Sequence, residues 1–244
     1  MLKVGFISQG NNDGKTLLSL GLADALSTNG HSVIFLNFNN KDENPKILSS
    51  YCQGTLTGFI NKKCKIRDII TRVHELNLDL INAYPSDLKL LTTLDEEGVK
   101  NIMSMFVKSL ASLKKYDYII INGLTGKLAN LNIFLSKVLD YLVIPIDINC
   151  FDVTTTVQIH RYIQTMCAAK KKNNTFLVIN KFDKFSNESN SKSDQLRLIF
   201  DSILLDIHIP ILDVTCKEMK DIIVDNRILF SKLCKSIVNK IHQK

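Results

Sequence analysis

The sequence predicts one doubly wound α/β domain with a mostly parallel sheet, spanning residues 1–244. Short apolar segments typical of buried strands alternate with longer segments whose apolar residues recur at helical spacing. Hydrophobic residues make up 45% of the chain and charged residues 23%, which is enough apolar material for a sizeable core. No Pro/Gly-rich linker or internal repeat divides the chain, so we expect a single domain.

The first unit sets this pattern. A strand over residues 3–8 leads into a Gly/Asn-rich loop over 9–14, a helix over 15–29 and a second strand over 32–37. The apolar face of the helix comprises Leu17, Leu18, Leu20, Leu22, Ala25 and Leu26. Because sequential strands joined by a helix pair in parallel through right-handed crossovers, this unit predicts the start of a parallel sheet.

The same alternation continues to the end of the chain. Further strands are predicted over residues 78–82, 116–121, 141–146 and 175–180, with a short one ending at Ile209-Pro210. Helices are predicted over residues 94–113, 130–138, 151–169, 194–204 and 217–242. Polar segments over 39–44 and 186–193 are predicted as loops, and the stretch between 45 and 77 is less regular.

Composition and charge narrow the classes of function. The formal net charge is +7, which fits either a solubility charge or an anionic partner such as nucleic acid or lipid. No apolar run approaches 18 residues and no secretory signal opens the chain, so we expect a cytoplasmic protein. The six cysteines form no C-x-x-C pair, which argues against a zinc site or disulfide framework.

The clearest local motif is Gly14-Lys15-Thr16, which follows the first strand and opens the first helix. Backbone N–H groups at a helix N-terminus attract an anion, a lysine adds a full positive charge, and a threonine hydroxyl can hold Mg²⁺. The Walker A pattern requires glycine at the position of Gln9, so the formal match fails. The alternative is a glycine-rich turn in which Asp13 caps the helix.

Several longer segments carry a further signal, and in chain order they read SQGNNDGKTLLSLGLADALSTNGHSVIFLNFNN, TLTGFINKKCKIRDII, LNLDLINA, YDYIIIN, DYLVIPIDINCFDVTTTVQIHRYI, TFLVINKFD and HIPILDVTCKEMKDIIVDNRILF. Together these segments resemble the ParA/MinD family of partition and division-site ATPases. The resemblance covers nearly the whole chain and implies a P-loop NTPase fold of the SIMIBI type. It also implies a homodimer that binds ATP or ADP with Mg²⁺.

The resemblance assigns a set of nucleotide-binding positions, with Thr16 as the metal-binding residue. They are Asn11, Asn12, Asp13, Gly14, Lys15, Thr16, Leu17, Asn180 and Pro210. Asn180 matches the strand-end asparagine that contacts adenine in the family. The N-K-x-D pattern over 180–183 also resembles the guanine-reading motif of GTPases, and an asparagine that merely ends a strand is the third interpretation.

The sequence departs from the family at the positions that carry charge. The signature lysine falls at Gly10, the two acids after the second strand at Asn37 and Asn39, and the Walker B acid at Asn122. Asparagine keeps the size and the hydrogen bonds of aspartate but cannot neutralise a metal or act as a base. We therefore expect nucleotide binding to survive while hydrolysis slows by about 10²- to 10⁵-fold or stops. A pseudo-ATPase scaffold or regulatory partner is the alternative function.

An acid just beyond these asparagines is the alternative source of a catalytic carboxylate. Asp42 and Glu43 follow the Asn37/Asn39 pair within the predicted polar loop. The sequence therefore leaves the catalytic residue undecided.

The C-terminal region is basic, with seven Lys/Arg and three acids over residues 215–244. ParA-like proteins bind DNA through basic residues near their C-terminal helices, so the resemblance implies non-specific DNA binding, a ParB-like partner and association with the nucleoid. The predicted DNA-binding residues are Lys217, Lys220, Arg227, Lys232, Lys235 and Lys240. The apolar stripe of the last helix (Leu229, Leu233, Ile237 and Ile241) indicates core packing or, as an alternative, a MinD-like membrane helix, which we do not favour. Further basic clusters lie at 62–67 and 170–172.

Overall fold

One sheet of eight strands forms the centre of the computed structural model, which describes residues 1–8, 10, 12–38, 54–124, 131–168, 174–212 and 218–242. The strand order is β3-β4-β2-β5-β1-β6-β7-β8. All neighbours pair in parallel except β3 and β4, which are antiparallel. The predicted doubly wound, mostly parallel α/β fold is therefore confirmed.

Strands and helices alternate along most of the chain. The strands are β1 (Leu2–Phe6), β2 (Val33–Asn37), β3 (Thr71–Val73), β4 (Leu78–Asn82), β5 (Tyr118–Asn122), β6 (Tyr141–Asp147), β7 (Thr175–Phe182) and β8 (Leu204–Pro210). The helices are α1 (Lys15–Thr28), α2 (Leu56–Ile60), α3 (Pro85–Thr92), α4 (Glu96–Ser112), α5 (Asn132–Val138), α6 (Val153–Ala168), α7 (Asn187–Phe200), α8 (Met219–Asp225) and α9 (Arg227–His242). Short 3-10 helices occupy Ile66–Ile69 and Ile148–Cys150.

Helices cover both faces of the sheet, which is why its central strands are almost continuously apolar. Alternate residues of each strand face opposite layers. In β2, Phe35 packs in the cluster formed with α1, α8 and α9, whereas Ile34 and Leu36 pack in the cluster formed with α4 to α7. This arrangement leaves the carboxyl ends of the parallel strands open as the edge where ligands bind in such folds.

Helices α1 and α9 pack closely on each other. A Cβ atom at Gly21 would overlap the ring of Phe230, so the two backbones approach only because position 21 has no side chain. Leu233 and Ile237 of the apolar stripe are buried in the same cluster. The core-packing interpretation of the last helix accounts for this stripe. In the described parts of the chain, no helix is long and apolar enough to span a membrane.

The main difference from the sequence prediction lies before β8. Helix α7 begins at Asn187, so the predicted polar loop over 186–193 is wrong. The side chain of Ser186 accepts a hydrogen bond from the backbone N–H of Ser189 and caps the helix. The first turns are polar because Ser189 and Ser193 are the residues that face the protein there. Strand β3 and helices α2 and α3 were not predicted.

Candidate nucleotide-binding site

Two residues between β1 and α1 have left-handed backbone conformations just before the helix begins. Gly14, the N-cap residue, has φ +88°, and Asn12 has φ +68°. A Cβ atom at Gly14 would also collide with the side-chain amide of Asn180, so position 14 requires glycine for two reasons. Because Lys15 is the first residue of α1, the N–H groups of its first turn lie at the carboxyl edge of the sheet.

Lys15 lies inside this loop rather than on its surface. Its side chain is buried, and Nζ donates to Ser8 Oγ over 2.5 Å and to the carbonyl of Gly10 over 2.9 Å. Ser8 Oγ donates in turn to the same carbonyl over 3.1 Å. These bonds hold the Lys15 ammonium group beside the N-terminus of α1, so a phosphate bound there would contact the ammonium group and the backbone N–H groups.

Three asparagines form a ladder across three neighbouring strands at this edge. Asn82 of β4, Asn37 of β2 and Asn122 of β5 occupy the same register. Asn122 Nδ2 donates to Asn37 Oδ1 over 2.8 Å, and Asn37 Nδ2 donates to Asn82 Oδ1 over 3.0 Å. Asn122 Nδ2 also donates to Thr16 Oγ1 over 2.9 Å. The ladder therefore ends on the hydroxyl predicted to bind metal.

The ladder is buried and uncharged. Asn122 is fully buried, and Asn37 is nearly so. Asn122 Oδ1 is buried without a hydrogen-bond partner within the described residues. The oxygen and nitrogen of an amide exchange places when the side chain flips, but no orientation of the three amides gives the ladder a formal charge.

Mg²⁺ does not fit the residues gathered here. Proteins usually hold this ion through one or two carboxylates together with substrate phosphates and water. The ladder offers only amides, and the Thr16 hydroxyl already accepts an amide N–H from Asn122. No cluster of three or more His, Cys, Asp or Glu suited to a metal occurs in the portion of the chain that is described.

Gly10, which the resemblance aligns with the family's signature lysine, lies close to the side chain of Asp13. A Cβ atom there would lie 2.6 Å from each carboxylate oxygen of Asp13. The acid in the loop therefore lies against the backbone of Gly10. Four residues named from the sequence, Asn11, Asn39, Asp42 and Glu43, lie outside the described residues, so a shifted catalytic acid stays a prediction.

Asn180 supports the phosphate loop. Its Nδ2 donates to the carbonyl of Asp13 over 2.9 Å, and the residue is buried. The next residue, Lys181, has φ +58° and forms an ion pair of 2.5 Å with Asp147 at the end of β6. Contact between Asn180 and a nucleotide base stays a prediction.

The two remaining predicted nucleotide-binding residues belong to α1 and β8. Leu17, in the first turn of α1, is partly buried against the core. Pro210 is exposed at the end of β8. Their contacts with a nucleotide also stay predictions.

The predicted DNA-binding residues separate into two groups. Lys232 and Lys235 are exposed on α9, and with Lys240 they form no ion pair with any described residue. Arg227 instead makes a bidentate ion pair with buried Asp24, at 3.0 Å for each bond, and so fixes α9 on α1. Lys220 pairs with Glu218 at 3.1 Å. Lys217 lies outside the described residues.

Sequence reasoning missed Asn82 and the supporting role of Asn180. Asn82 gave a signal that could have been used, because it ends its strand in the same way as Asn37 and Asn122. The bond from Asn180 to the loop joins residues 167 positions apart, and no local pattern encodes it.

Comparisons with known proteins agree with this geometry. The family model described as an AAA domain matches residues 4–179, and no curated protein matches the sequence. Apo McdA from Cyanothece is 15% identical with a TM-score of 0.78, and the match covers 99% of each chain.

Two further structures share the fold. A putative plasmid partition protein from Borrelia burgdorferi bound to AMPPNP is 19% identical with a TM-score of 0.67, over 99% of this chain and 98% of that one. The match to the MinC:MinD cell division complex from Aquifex aeolicus has 16% identity and a TM-score of 0.74, over 100% and 95%. The family model covers most of the chain and the fold is shared throughout, so this protein belongs to the ParA/MinD family of P-loop ATPases.

Proposed function

We propose that this chain is a ParA-like partition protein that holds ATP or ADP at its phosphate loop and hydrolyses it very slowly or not at all. The observation that carries the proposal is the uncharged ladder of Asn82, Asn37 and Asn122 beside the N-terminus of α1 and the buried Lys15. The backbone N–H groups and Lys15 provide the positive charge that nucleotide binding requires. The ladder lacks the carboxylates that hydrolysis requires.

Binding depends on positive charge and on backbone N–H groups. The N-terminus of α1 supplies the helix dipole and its backbone N–H groups, and Lys15 adds a full charge next to them. The Borrelia burgdorferi partition protein, which has the same fold, is bound to AMPPNP. That relative supports a nucleoside triphosphate as the ligand of this loop.

Hydrolysis depends on groups that this site lacks. Phosphoryl transfer is accelerated mainly by cations that neutralise the phosphates and by an acceptor that orients the attacking water. Asn37 and Asn122 replace the acids that would hold the metal, and Gly10 replaces the lysine that would reach a partner's phosphates. Loss of such groups typically slows the reaction by about 10²- to 10⁵-fold.

The uncharged ladder also predicts how nucleotide binds. The ladder has no carboxylate that would attract a metal ion to Thr16. The backbone N–H groups of α1 and the Lys15 ammonium group therefore contact the phosphates directly. We therefore propose that Mg²⁺ adds little to the affinity.

Attachment to DNA is the second half of the proposal. Lys232 and Lys235 give α9 an exposed basic surface, with Lys240 beside them. Such a surface favours non-specific contacts with phosphates that weaken as salt rises. A homodimer, a ParB-like partner and a cytoplasmic, nucleoid-associated location complete the proposed role.

Equilibrium binding of labelled ATP and ADP, in Mg²⁺ and in EDTA, tests the nucleotide half. Wild type should bind in both conditions, and Lys15→Ala should lose most of the affinity. Lys108→Ala removes an equal charge from the exposed face of α4 and should bind like wild type. If wild type does not bind nucleotide, the alternative function, a scaffold without nucleotide, is favoured. Steady phosphate release that depends on Lys15 would refute slow turnover.

Binding of a labelled duplex of arbitrary sequence tests the DNA half. Changing Lys232, Lys235 and Lys240 to Glu should abolish the affinity, because repulsion from phosphates replaces attraction. Failure of wild type to bind duplex at low salt would remove DNA from the proposal.

A further inference from the structure

A cleft of about 390 Å³ lies at the amino-terminal edge of the sheet, opposite the phosphate loop. Asp79, the second residue of β4, forms its floor. Arg72 of β3 lies beside Asp79 in the antiparallel register, and Lys115 and Tyr116 reach it from the segment before β5. Nothing in the nucleotide site uses these residues.

Asp79 is buried, and its carboxylate is fully engaged. Arg72 Nη1 donates to Oδ1 over 3.1 Å, while Lys115 Nζ and the hydroxyl of Tyr116 donate to Oδ2 over 2.6 Å and 2.8 Å. The side chain of Asp79 is only 4% exposed, whereas Arg72 is 41% and Lys115 60% exposed. Lys115 therefore keeps ammonium hydrogens for the solvent side of the cleft, whereas Arg72 also donates from Nη2 to the side chain of Asn77.

Positive charge exceeds negative charge in the cleft. Three cations line it, Arg67, Arg72 and Lys115, against the single carboxylate of Asp79. Arg67 is exposed and forms no ion pair with the residues that the structure describes. A concave surface with a net charge of about +2 above a low-dielectric floor focuses the field on an anion.

The surroundings of the cleft extend this charge. Lys62, Lys63 and Lys65 are exposed on the segment that leads to Arg67. This is the basic cluster over residues 62–67 noted in the sequence. Ile70 and Leu113 add an apolar wall to the same cleft.

We propose that this cleft binds a phosphate group. The guanidinium group of Arg67 offers the paired donors that match phosphate oxygens. Arg72, which donates to Asp79 and to the side chain of Asn77, and Lys115 add positive charge. The phosphate belongs either to a small organic phosphate, whose carbon skeleton would lie on Ile70 and Leu113, or to a nucleic-acid backbone guided by the neighbouring lysines. The recognised chemistry is the same in both cases.

The test uses the full chain with Lys15→Ala, so that the phosphate loop does not contribute. Inorganic phosphate is titrated into the ¹⁵N-labelled protein, and amide signals of residues 66–72 and 114–116 are followed by NMR. We expect saturable shifts there and about tenfold weaker binding in Arg67→Gln. Lys108→Gln, an equal charge change on α4, should bind like its parent. Arg67 is exposed, so its variant should remain folded, which circular dichroism checks.

Two results would overturn the proposal: no saturable shift in the parent protein, or equal weakening by Arg67→Gln and Lys108→Gln, which would indicate unspecific charge attraction. A fluorescein-labelled duplex then identifies the source of the phosphate. Weaker duplex binding in Arg67→Gln assigns a nucleic-acid backbone, and unchanged duplex binding assigns a small organic phosphate.

Discussion

Asn122 Nδ2 donates a hydrogen bond to Thr16 Oγ1 over 2.9 Å, linking the end of β5 to the first turn of α1. In metal-dependent phosphate sites the corresponding hydroxyl holds the cation, and a carboxylate on the neighbouring strand assists it. Here an amide N–H points at that hydroxyl. Asn122 therefore brings no negative charge to Thr16 that would hold a cation there.

Asn122→Asp should make nucleotide binding depend on metal. The carboxylate would bring one negative charge beside Thr16, which attracts Mg²⁺ and repels phosphate when the metal is absent. We expect the affinity in Mg²⁺ to exceed that in EDTA by about tenfold or more, against less than about twofold in wild type. Titration of a fluorescent ATP analogue in both buffers measures the ratio.

Asn82→Asp is the matched control, because it adds the same charge to the ladder two strands away from Asn122. Its affinity should change little between Mg²⁺ and EDTA. A strong metal requirement in wild type would contradict the argument, since it would show that the amides recruit the cation themselves.

The sequence predicted seven of the eight strands, because most of these are short, apolar and buried on both faces, whereas the three-residue β3 was not predicted. Strand β4 was predicted to the residue at 78–82. The sequence also located the phosphate loop at Gly14-Lys15-Thr16, because this motif lies between β1 and α1 along the chain. Helix α7 was misjudged because its first turns are polar and depend on the cap at Ser186.

The assembly of side chains from distant segments could not be read from the sequence. The ladder requires the register of three strands that are not consecutive in the chain. The Asp79 cluster likewise unites Arg72 and Lys115, which have no shared local pattern. Arg227 appeared as one basic residue among several, and only the packing of α9 on α1 reveals its buried partner Asp24.

Gly21→Ala should destabilise the protein. A Cβ atom there would overlap the ring of Phe230, and overpacking of this kind costs about 1–3 kcal/mol. Alanine favours a helix over glycine by about 1 kcal/mol, which reduces the loss. We expect the free energy of unfolding in urea to fall, because the clash is with a buried ring.

The companion variant Gly21→Ala/Phe230→Leu separates the clash from other effects. The smaller leucine makes room for the new methyl group, so the two changes together should cost less than the sum of the single changes. Additive losses would show that Phe230 is not the obstacle.

Arg227→Gln should also destabilise the protein, although Arg227 was predicted from the sequence as a DNA contact. Asp24 would remain buried without its cation, and breaking such a pair costs about 3–5 kcal/mol. Because the Asp24 carboxylate is buried while the guanidinium is partly exposed, we expect the lower end of this range. Urea unfolding measures it.

Lys232→Gln changes the same charge on the exposed face of α9 and should leave stability unchanged within about 0.5 kcal/mol. Asp24→Asn in the Arg227→Gln background should recover much of the loss, because the buried charge is gone. If Arg227→Gln is as stable as wild type, the ion pair with Asp24 does not stabilise the fold, and Arg227 stays a predicted DNA contact.

The stabilising contribution of Asp79 should disappear in acid. Burial raises the pKa of its carboxyl, but hydrogen bonds from Lys115, Tyr116 and Arg72 outweigh it and leave the pKa below its usual value. The folded state therefore binds the proton less readily than the unfolded state. The contribution is complete above the unfolded pKa of about 3.9 and is lost as the pH falls through the lower folded value.

Urea unfolding of wild type and Asp79→Asn at several pH values measures this contribution as a difference. The gap in unfolding free energy should be constant near neutral pH and should narrow below about pH 4. Glu97→Gln, which removes an exposed carboxylate from the first turn of α4, should show a much smaller gap. A gap that widened on acidification would mean that the carboxyl is held protonated in the fold. The three donors around Asp79 oppose that state, because Lys115 and Arg72 carry positive charge and all three offer hydrogens to the carboxylate.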